Sequence, residues 1–186
     1  MSKTFERILI EQCAPTLAGL KTGSMFSYQI RVHENINELI EYWNELLMQR
    51  GIRLTILARY AFRALIYVYR TKNLTSDLQD TYISGFLNTI GYDTGSTDTC
   101  IGLLKERIGN CRDFPHELGL FLGYPLHDVV GFIQNKGQNA CCSGCWKVYC
   151  DQCTAQKCFA RFKKCKTVYL DLFMRGKSIL QLTVVT

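Results

Sequence analysis

Apolar residues recur at helical spacing in several segments of the chain. The clearest segment starts with Asn35 and Glu38, a pair typical of a helix N-terminus, and stops at Gly51. Between them, apolar side chains every three or four residues form one stripe that can face a core. The same analysis predicts helices over residues 3–13, 76–90 (capped by Ser76), 97–108 and roughly 152–175, and two short helices that begin at Pro115 and Pro125.

Alternating and β-branched residues predict strands. These strands are Met25–Val32, Ile52–Ala58, Arg63–Arg70 and the short Trp146–Tyr149, with a hairpin turn near Tyr60 and Ala61. No repeat or linker divides the chain, so residues 1–186 are expected to form a single α+β domain. Its predicted architecture is a small, mostly antiparallel sheet of three or four strands covered by about six helices, with a Cys-rich loop at 138–153.

Composition narrows the class of protein. The 186 residues are 47% hydrophobic and 20% charged, which is typical of a folded globular chain. The longest apolar run, Ala64–Tyr69, is far shorter than the roughly 20 residues that a bilayer span needs. Charged residues also interrupt Met1–Gln12 before it could act as a secretory signal. We therefore expect a cytoplasmic protein without a membrane partner.

Cysteine is the most unusual component. Seven of the ten cysteines lie between Cys141 and Cys165. Two C-x-x-C pairs, Cys142 with Cys145 and Cys150 with Cys153, could supply the four thiolates of a zinc site. Cys145, Cys150 and Cys153 also match part of a plant-type iron–sulfur pattern, although the usual fourth cysteine far downstream is missing. Zinc or an iron–sulfur centre is therefore one predicted cofactor.

A thiol-redox role is the second interpretation of these cysteines. A strand at Trp146–Tyr149 would send Cys145 and Cys150 to opposite faces, which argues against one four-cysteine centre. Cys150 and Cys153 would instead follow a strand at the start of a helix, where the helix dipole favours a thiolate, as in dithiol oxidoreductases. A redox partner protein is then expected. Cys100, Cys158 and Cys165 fit buried helix stripes better.

Charge is concentrated near the end of the chain. Residues 136–177 hold nine Lys or Arg against two Asp, a balance of +7, so the rest of the chain carries −1 of the total of +6. Such a stretch can meet an anion, an acidic protein or a nucleic acid. Nucleic acid is the least favoured of these partners, because the aromatic residues of the basic helix lie on its apolar stripe and do not alternate with its lysines.

Acid–base chemistry has candidates outside the cysteines. His116 with Glu117, and His127 with Asp128, stand at the starts of the two short helices, but no H-E-x-x-H zinc-protease motif is present. Lys21, with the hydroxyls and glycine that follow it, offers a small-anion site, although a structural turn is the better interpretation.

Four segments together resemble a known family. They are 13–26 (CAPTLAGLKTGSMF), 64–70 (ALIYVYR), 114–137 (FPHELGLFLGYPLHDVVGFIQNKG) and 146–149 (WKVY). In order and over nearly the whole chain, they resemble the bacterial family called domain of unknown function 3793, which is associated largely with anaerobes and brings no established activity. Cys145, Cys150 and Cys153 depart from the pattern that this resemblance implies.

The resemblance implies which polar residues are candidates for a functional role. They are Lys21, His116, Glu117, Tyr124, Asp128, Lys136, Lys147 and Tyr149.

Two hypotheses about function follow from the sequence. The first is a metal-binding or thiol-redox protein that uses Cys142, Cys145, Cys150 and Cys153. The alternative is an enzyme or binding protein for a small anionic ligand, in which Lys21, Lys136, Lys147 and Tyr149 bind the ligand, and His116, Glu117, Asp128 and Tyr124 carry the chemistry.

Overall fold

The computed structural model describes residues 3–110 and 114–185. The predicted α+β class and the antiparallel three-stranded sheet are confirmed. The helices of the described residues are α1 (Lys3–Leu17), α2 (Ile36–Leu47), α3 (Thr71–Gln79), α4 (Thr81–Thr89), α5 (Thr97–Asn110), α6 (Leu118–Phe121), α7 (Leu126–Gln134), α8 (Gln152–Met174) and α9 (Ile179–Leu182). The strands are β1 (Gly23–Gln29), β2 (Ile52–Tyr60), β3 (Arg63–Arg70), β4 (Cys142–Ser143) and β5 (Lys147–Val148).

The described chain divides into two compact units. Unit 1 comprises the residues up to Asn73 and those from Cys165 onward, and unit 2 comprises Leu74–Lys164. The boundaries lie inside α3 and α8. The expectation of a single domain over residues 1–186 stays a prediction.

Unit 1 is built on the three-stranded sheet. Its strand order is β1-β3-β2, and both pairings are antiparallel. The central strand β3 is almost wholly buried from Ala64 to Arg70, as its apolar sequence requires. The β2–β3 hairpin was predicted, and β2 carries a bulge between Ile56 and Ala58. Side chains from α1, α2 and α9 complete the core over this sheet.

Helix α2 begins where the sequence predicts it. The Asn35 side chain accepts a hydrogen bond from the backbone N–H of Asn37 and donates one to Glu38. A short 3-10 turn, Met48–Arg50, follows the helix, and Gly51 then adopts a positive φ of 71°. Glycine takes this left-handed conformation at little cost, which explains the stop.

The buried side chain of Arg70 joins helix α1 to the C-terminal segment of unit 1. Its side chain is fully buried, with 0% exposure. The guanidinium donates to the carbonyl oxygens of Thr16 and Leu17, both at 2.6 Å, and to that of Val184 at 2.9 Å. Helix ends leave carbonyls without partners, so a cation there satisfies α1 and ties it to the C-terminal segment. Burial lowers the pKa of Arg70.

Unit 2 is mainly helical and carries the β4–β5 hairpin. Its buried apolar side chains come from its helices and from β5, among them Leu87, Leu104, Leu120, Val129 and Val148. Helix α7 contacts both α6 and β5. The short strand predicted at Trp146–Tyr149 is present as β5, and the basic helix predicted at about 152–175 is confirmed as α8.

One helix prediction was wrong. Residues 76–90 do not form a single helix capped by Ser76, because α3 ends at Gln79 and α4 begins at Thr81. Asp80 lies between them with extended backbone, and its carboxylate accepts hydrogen bonds from the N–H groups of Tyr82 and Ile83. Aspartate is among the strongest helix N-caps, so a new helix starts there.

Several helices and strands also begin or end at residues other than the predicted ones. Helix α1 runs past Pro15 to Leu17, because Arg70 holds its last carbonyls. Helix α5 continues through Gly109 to Asn110. Strand β1 ends at Gln29, opposite Arg63, where its partner β3 begins, so Val32 lies outside the sheet. The two short helices begin at Leu118 and Leu126, slightly after the prolines that were expected to open them.

Within residues 3–110 and 114–185, none of the helices combines the length and the apolar character that crossing a bilayer requires.

Replacing Arg70 by methionine tests how much its buried hydrogen bonds stabilise unit 1. Arg70→Met would leave three buried carbonyls without their charged donor, and we expect the free energy of unfolding to fall by about 3 kcal/mol. Urea unfolding followed by circular dichroism measures this. The exposed Arg53→Met on β2 is the matched control, with an expected change within about 0.5 kcal/mol. Equal urea midpoints for the two variants would contradict the role given to Arg70.

Candidate functional site

The paired cysteines lie on and just after the β4–β5 hairpin of unit 2. Cys142 pairs with Val148 and Ser143 with Lys147 in antiparallel register. A three-residue turn joins the strands, with Gly144 N donating to the Trp146 carbonyl at 3.0 Å. Two strands of two residues cannot hold a hairpin in place by themselves. Contacts from α7 and α8 must therefore fix it.

The carboxylate of Asp128 fixes the hairpin to α7. Asp128 is buried, with 2% exposure. Its Oδ2 accepts the indole N–H of Trp146 at 2.7 Å, and its Oδ1 accepts the backbone N–H of Tyr149, also at 2.7 Å. Both carboxylate oxygens thus bind donors from the hairpin, one at its turn and one just after β5. Hydrogen bonds to a charged acceptor are the strong ones in a protein interior.

Aromatic rings hold the turn of the hairpin. The Tyr124 ring stacks on the Trp146 indole with centroids 4.9 Å apart, and Phe159 of α8 meets the same indole edge-on at 4.6 Å. The Tyr124 hydroxyl donates to the Cys145 carbonyl at 3.1 Å. Burial, with a smaller contribution from Cys145, raises the pKa of Tyr124 to about 12, so the phenol stays protonated near neutral pH.

Two glycines permit this close packing. A Cβ at Gly144 would lie 2.2 Å from the Phe159 ring, and one at Gly131 would lie 2.6 Å from the Tyr149 ring. Real Cβ contacts are never so short. The glycine in the turn and the glycine inside α7 therefore let aromatic rings approach the backbone directly.

Lys147 and His116 meet at one aromatic ring. The Lys147 ammonium donates to the Gly137 carbonyl and lies 5.8 Å from the centroid of the Phe132 ring. The His116 imidazole packs edge-on against that ring at 4.8 Å. These contacts attach β5 to the end of α7, so they give Lys147 a structural partner.

Glu117 belongs to a separate buried network. Its Oε1 lies 2.7 Å from Arg107 Nε and accepts the Tyr92 hydroxyl at 3.1 Å. Arg107 also donates to the Ile90 carbonyl. Burial, and next the charge of Glu117, raises the pKa of Tyr92. This network links α5 to the start of α6, and the Glu117 carboxylate faces Arg107 and Tyr92 while His116 faces Phe132.

The remaining predicted ligand residues are divided between the two units. Lys21 belongs to unit 1, just before β1, whereas Lys136 and Tyr149 belong to unit 2. Lys136 follows α7 with a positive φ of 49° and is exposed. The Tyr149 hydroxyl is buried without a hydrogen-bond partner among the described residues. Its backbone N–H, however, is the group that Asp128 holds.

The described cysteines divide by exposure. Cys13, Cys100 and Cys165 are buried, as was expected for Cys100 and Cys165, and burial raises the pKa of each thiol. Cys158, which was also expected in a buried stripe, is only half-buried. Of the paired cysteines, Cys142 is half-buried, and Cys145, Cys150 and Cys153 are exposed. The hairpin and the start of α8 thus present thiols to solvent.

The second C-x-x-C pair spans the start of α8, as its sequence predicts. Cys150 precedes the capping residue Asp151, and Cys153 lies in the first turn of the helix. The Asp151 carboxylate accepts the backbone N–H of Thr154 at 3.0 Å. Hydrogen bonds from Thr154, foremost that of its backbone, lower the pKa of Asp151, which therefore stays ionised as the cap.

Metal-ligating side chains do not converge in the described part of the chain. Within residues 3–110 and 114–185, no three side chains of His, Cys, Asp or Glu are grouped as a metal ion would require. The zinc and iron–sulfur centres suggested by the cysteine spacing stay predictions.

Some residues that organise the site carried no sequence signal of that role. Arg107 and Phe159 lie far along the chain from the residues they contact, and nothing in their local pattern distinguishes them from an ordinary surface cation and a core aromatic. Gly131 did carry a signal. A glycine inside a helix lowers its stability and commonly marks a close contact, which in this helix is the Tyr149 ring.

The fold and the site define an α+β protein with a helix-braced cysteine hairpin. Residues 9–183 match the family described as protein of unknown function DUF3793, and the chain belongs to that family. No curated protein and no solved structure matches the chain.

Replacing Asp128 by asparagine tests the hairpin attachment. Asp128→Asn turns one acceptor oxygen into an N–H donor that faces another donor, and we expect the free energy of unfolding to fall by about 2 kcal/mol. In a Trp43→Phe background, Trp146 is the one indole left, and its fluorescence should shift to the red as it gains solvent. Asp98→Asn, on the exposed surface of α5, is the control. An unshifted spectrum in Asp128→Asn would refute this attachment.

A glycine pair tests the close packing of the turn. Gly144→Ala forces a methyl group into the Phe159 ring, so we expect a loss of about 1–3 kcal/mol. Gly102→Ala makes the same change inside α5, where no atom lies within 4 Å, and should stabilise the chain by up to about 1 kcal/mol. Thermal unfolding should therefore move the two midpoints in opposite directions. Movement in the same direction would disagree with the observed packing.

Proposed function

We propose that this protein is a dithiol–disulfide exchange protein in which Cys150 and Cys153 form the reacting pair. The observation that carries the proposal is the exposure of both thiols at the start of α8, three positions apart. This spacing at a helix start is the one that thiol oxidoreductases use, and a disulfide can bridge it. The reaction needs reduced thiols, which agrees with a cytoplasmic location.

The bracing of the hairpin supports the proposal. Asp128, Tyr124 and Lys147 are engaged with the hairpin by hydrogen bonds and ring contacts. Residues that the sequence suggested as catalytic or ligand-binding therefore have partners within the fold. The thiols of Cys145, Cys150 and Cys153 are among the groups that this framework leaves exposed to solvent.

The proposed step exchanges two electrons with a partner disulfide. The Cys150 thiolate attacks one sulfur of that disulfide, which breaks the S–S bond and releases a partner thiolate. The Cys153 thiolate then attacks the mixed disulfide, forms the Cys150–Cys153 bond and releases the second partner thiolate. The protein dithiol loses two electrons and two protons, the partner disulfide gains them, and the reverse reaction oxidises a partner dithiol.

Metal binding is the alternative that the sequence favours. Zinc would need thiolates from both C-x-x-C pairs, and such a set is not grouped among residues 3–110 and 114–185. A small anionic ligand is the other alternative, and its candidate groups Glu117 and Lys147 are occupied within unit 2. Neither alternative has an observation that ranks it above exchange.

Trapping the mixed disulfide tests the proposal. Reduced protein is mixed without oxygen with a short peptide disulfide, quenched with acid and mapped by mass spectrometry. We expect a Cys150–Cys153 disulfide in the wild type. Cys153→Ser should instead accumulate the peptide on Cys150, because the resolving thiol is gone. Cys141→Ser, an equally exposed cysteine outside both pairs, should behave as wild type.

Two results would overturn the proposal. One is that the double variant Cys150→Ser, Cys153→Ser reacts with the peptide disulfide at the wild-type rate. The other is near-stoichiometric zinc or iron in anaerobically purified wild type that is lost in Cys142→Ser. That second result would establish the metal alternative and would place the hairpin cysteines in its ligand set.

A further inference from the structure

The exposed side of α8 is strongly basic. From Gln152 to Leu170 the sequence holds five Lys or Arg and no Asp or Glu. All five cations are exposed. Three of them, Lys157, Arg161 and Lys164, lie with Cys153 within about 80° of the helix circumference at 100° per residue. We call Lys157, Arg161 and Lys164 the basic row. It runs along the same face as the exposed thiol of the C-x-x-C pair.

The buried side of α8 has the opposite character. Ala155, Phe162 and Cys165 are buried, and the half-buried Phe159 packs on Trp146. The apolar stripe thus accounts for the fold of the helix, while packing does not account for the basic row. The carboxylate next to the row, Asp151, serves as the helix cap. Asp151 also interacts electrostatically with Lys157, but three cations against one carboxylate still create a positive field that an anionic partner can use.

We propose that the basic row and the Cys150–Cys153 pair form one docking surface for an acidic protein segment that carries the reacting disulfide. The inference rests on the proposed exchange reaction and names its partner class. Cys153 and the last cation of the row, Lys164, lie about 16 Å apart along the helix axis at 1.5 Å per residue. An extended segment of about five residues covers that length. The partner should therefore place carboxylates within about five residues of its reacting cysteine.

An acidic protein fits this surface better than a nucleic acid does. The thiols at one end of the row react with disulfides and have no chemistry with phosphodiesters. Single-stranded nucleic acid is held by aromatic rings beside the cations, yet Phe159 and Phe162 lie on the inward side of α8. A partner with both carboxylates and a disulfide matches the charge of this surface as well as the chemistry of its thiols.

Three peptides of one sequence test the inference. Each carries one cysteine in a mixed disulfide with thionitrobenzoate, flanked by Glu, Gln or Lys residues. The measured quantity is the rate at which the Cys150–Cys153 disulfide forms, followed by quenched mass spectrometry. At low ionic strength we expect the Glu peptide to react about tenfold faster than the Gln peptide, and the Lys peptide to react slowest. Added salt should remove the difference.

Matched charge variants locate the effect. The triple variant Lys157→Gln, Arg161→Gln, Lys164→Gln should react with all three peptides at similar rates. The control triple Arg53→Gln, Arg59→Gln, Lys72→Gln removes the same charge from exposed positions of unit 1 and should keep the preference. Glutamine is a good helix former, so α8 is preserved.

The outcomes separate the two proposals. If the Glu and Gln peptides form the Cys150–Cys153 disulfide at equal rates, exchange stands and the acidic docking surface is overturned. If no peptide forms that disulfide, the exchange reaction fails and the docking inference fails with it. If the basic row retains a single-stranded oligonucleotide in a salt-sensitive way and gives no Glu preference, the partner is a nucleic acid and the inference is overturned.

Discussion

A single buried carboxylate decides where the cysteine hairpin of unit 2 lies. Asp128 binds the Trp146 indole with one oxygen and the Tyr149 backbone with the other, so it holds the turn and the end of the hairpin together. A hairpin with two paired residues per strand has too few ladder bonds to persist alone. The position of the exposed thiols is therefore set by α7 and by the rings packed on Trp146.

This arrangement separates structural from reactive groups. Several polar residues highlighted by the family resemblance have partners within the fold: Glu117 pairs with Arg107, and Lys147 binds the Gly137 carbonyl. The cysteine pairs lie on and just after the hairpin that these residues brace, and Cys145, Cys150 and Cys153 are exposed there. Exposed positions on a braced hairpin can carry reactive groups without disturbing the core that holds them.

The sequence predicted what local rules control. Asn35 and Gly51 bound α2 as expected, because a cap and a left-handed glycine act within one turn. Local rules gave a wrong helix start where two possible N-caps, Ser76 and Asp80, lie close together. Asp80, and not Ser76, is the N-cap of α4. The partners of Asp128 could not be predicted, because Trp146 and Tyr149 lie 18 and 21 residues away and a carboxylate gives no sign of which donors it will meet.

The bonds of Arg70 bear on the order in which the chain folds during synthesis. The guanidinium joins the end of α1 to the Val184 carbonyl, and Val184 N also donates to Leu17. Unit 1 is therefore discontinuous in sequence, whereas unit 2 is one continuous segment. On the ribosome, Leu74–Lys164 can complete its contacts while α1 and the sheet still await residues 165–184. Nascent unit 1 therefore stays incomplete after unit 2 has been synthesised.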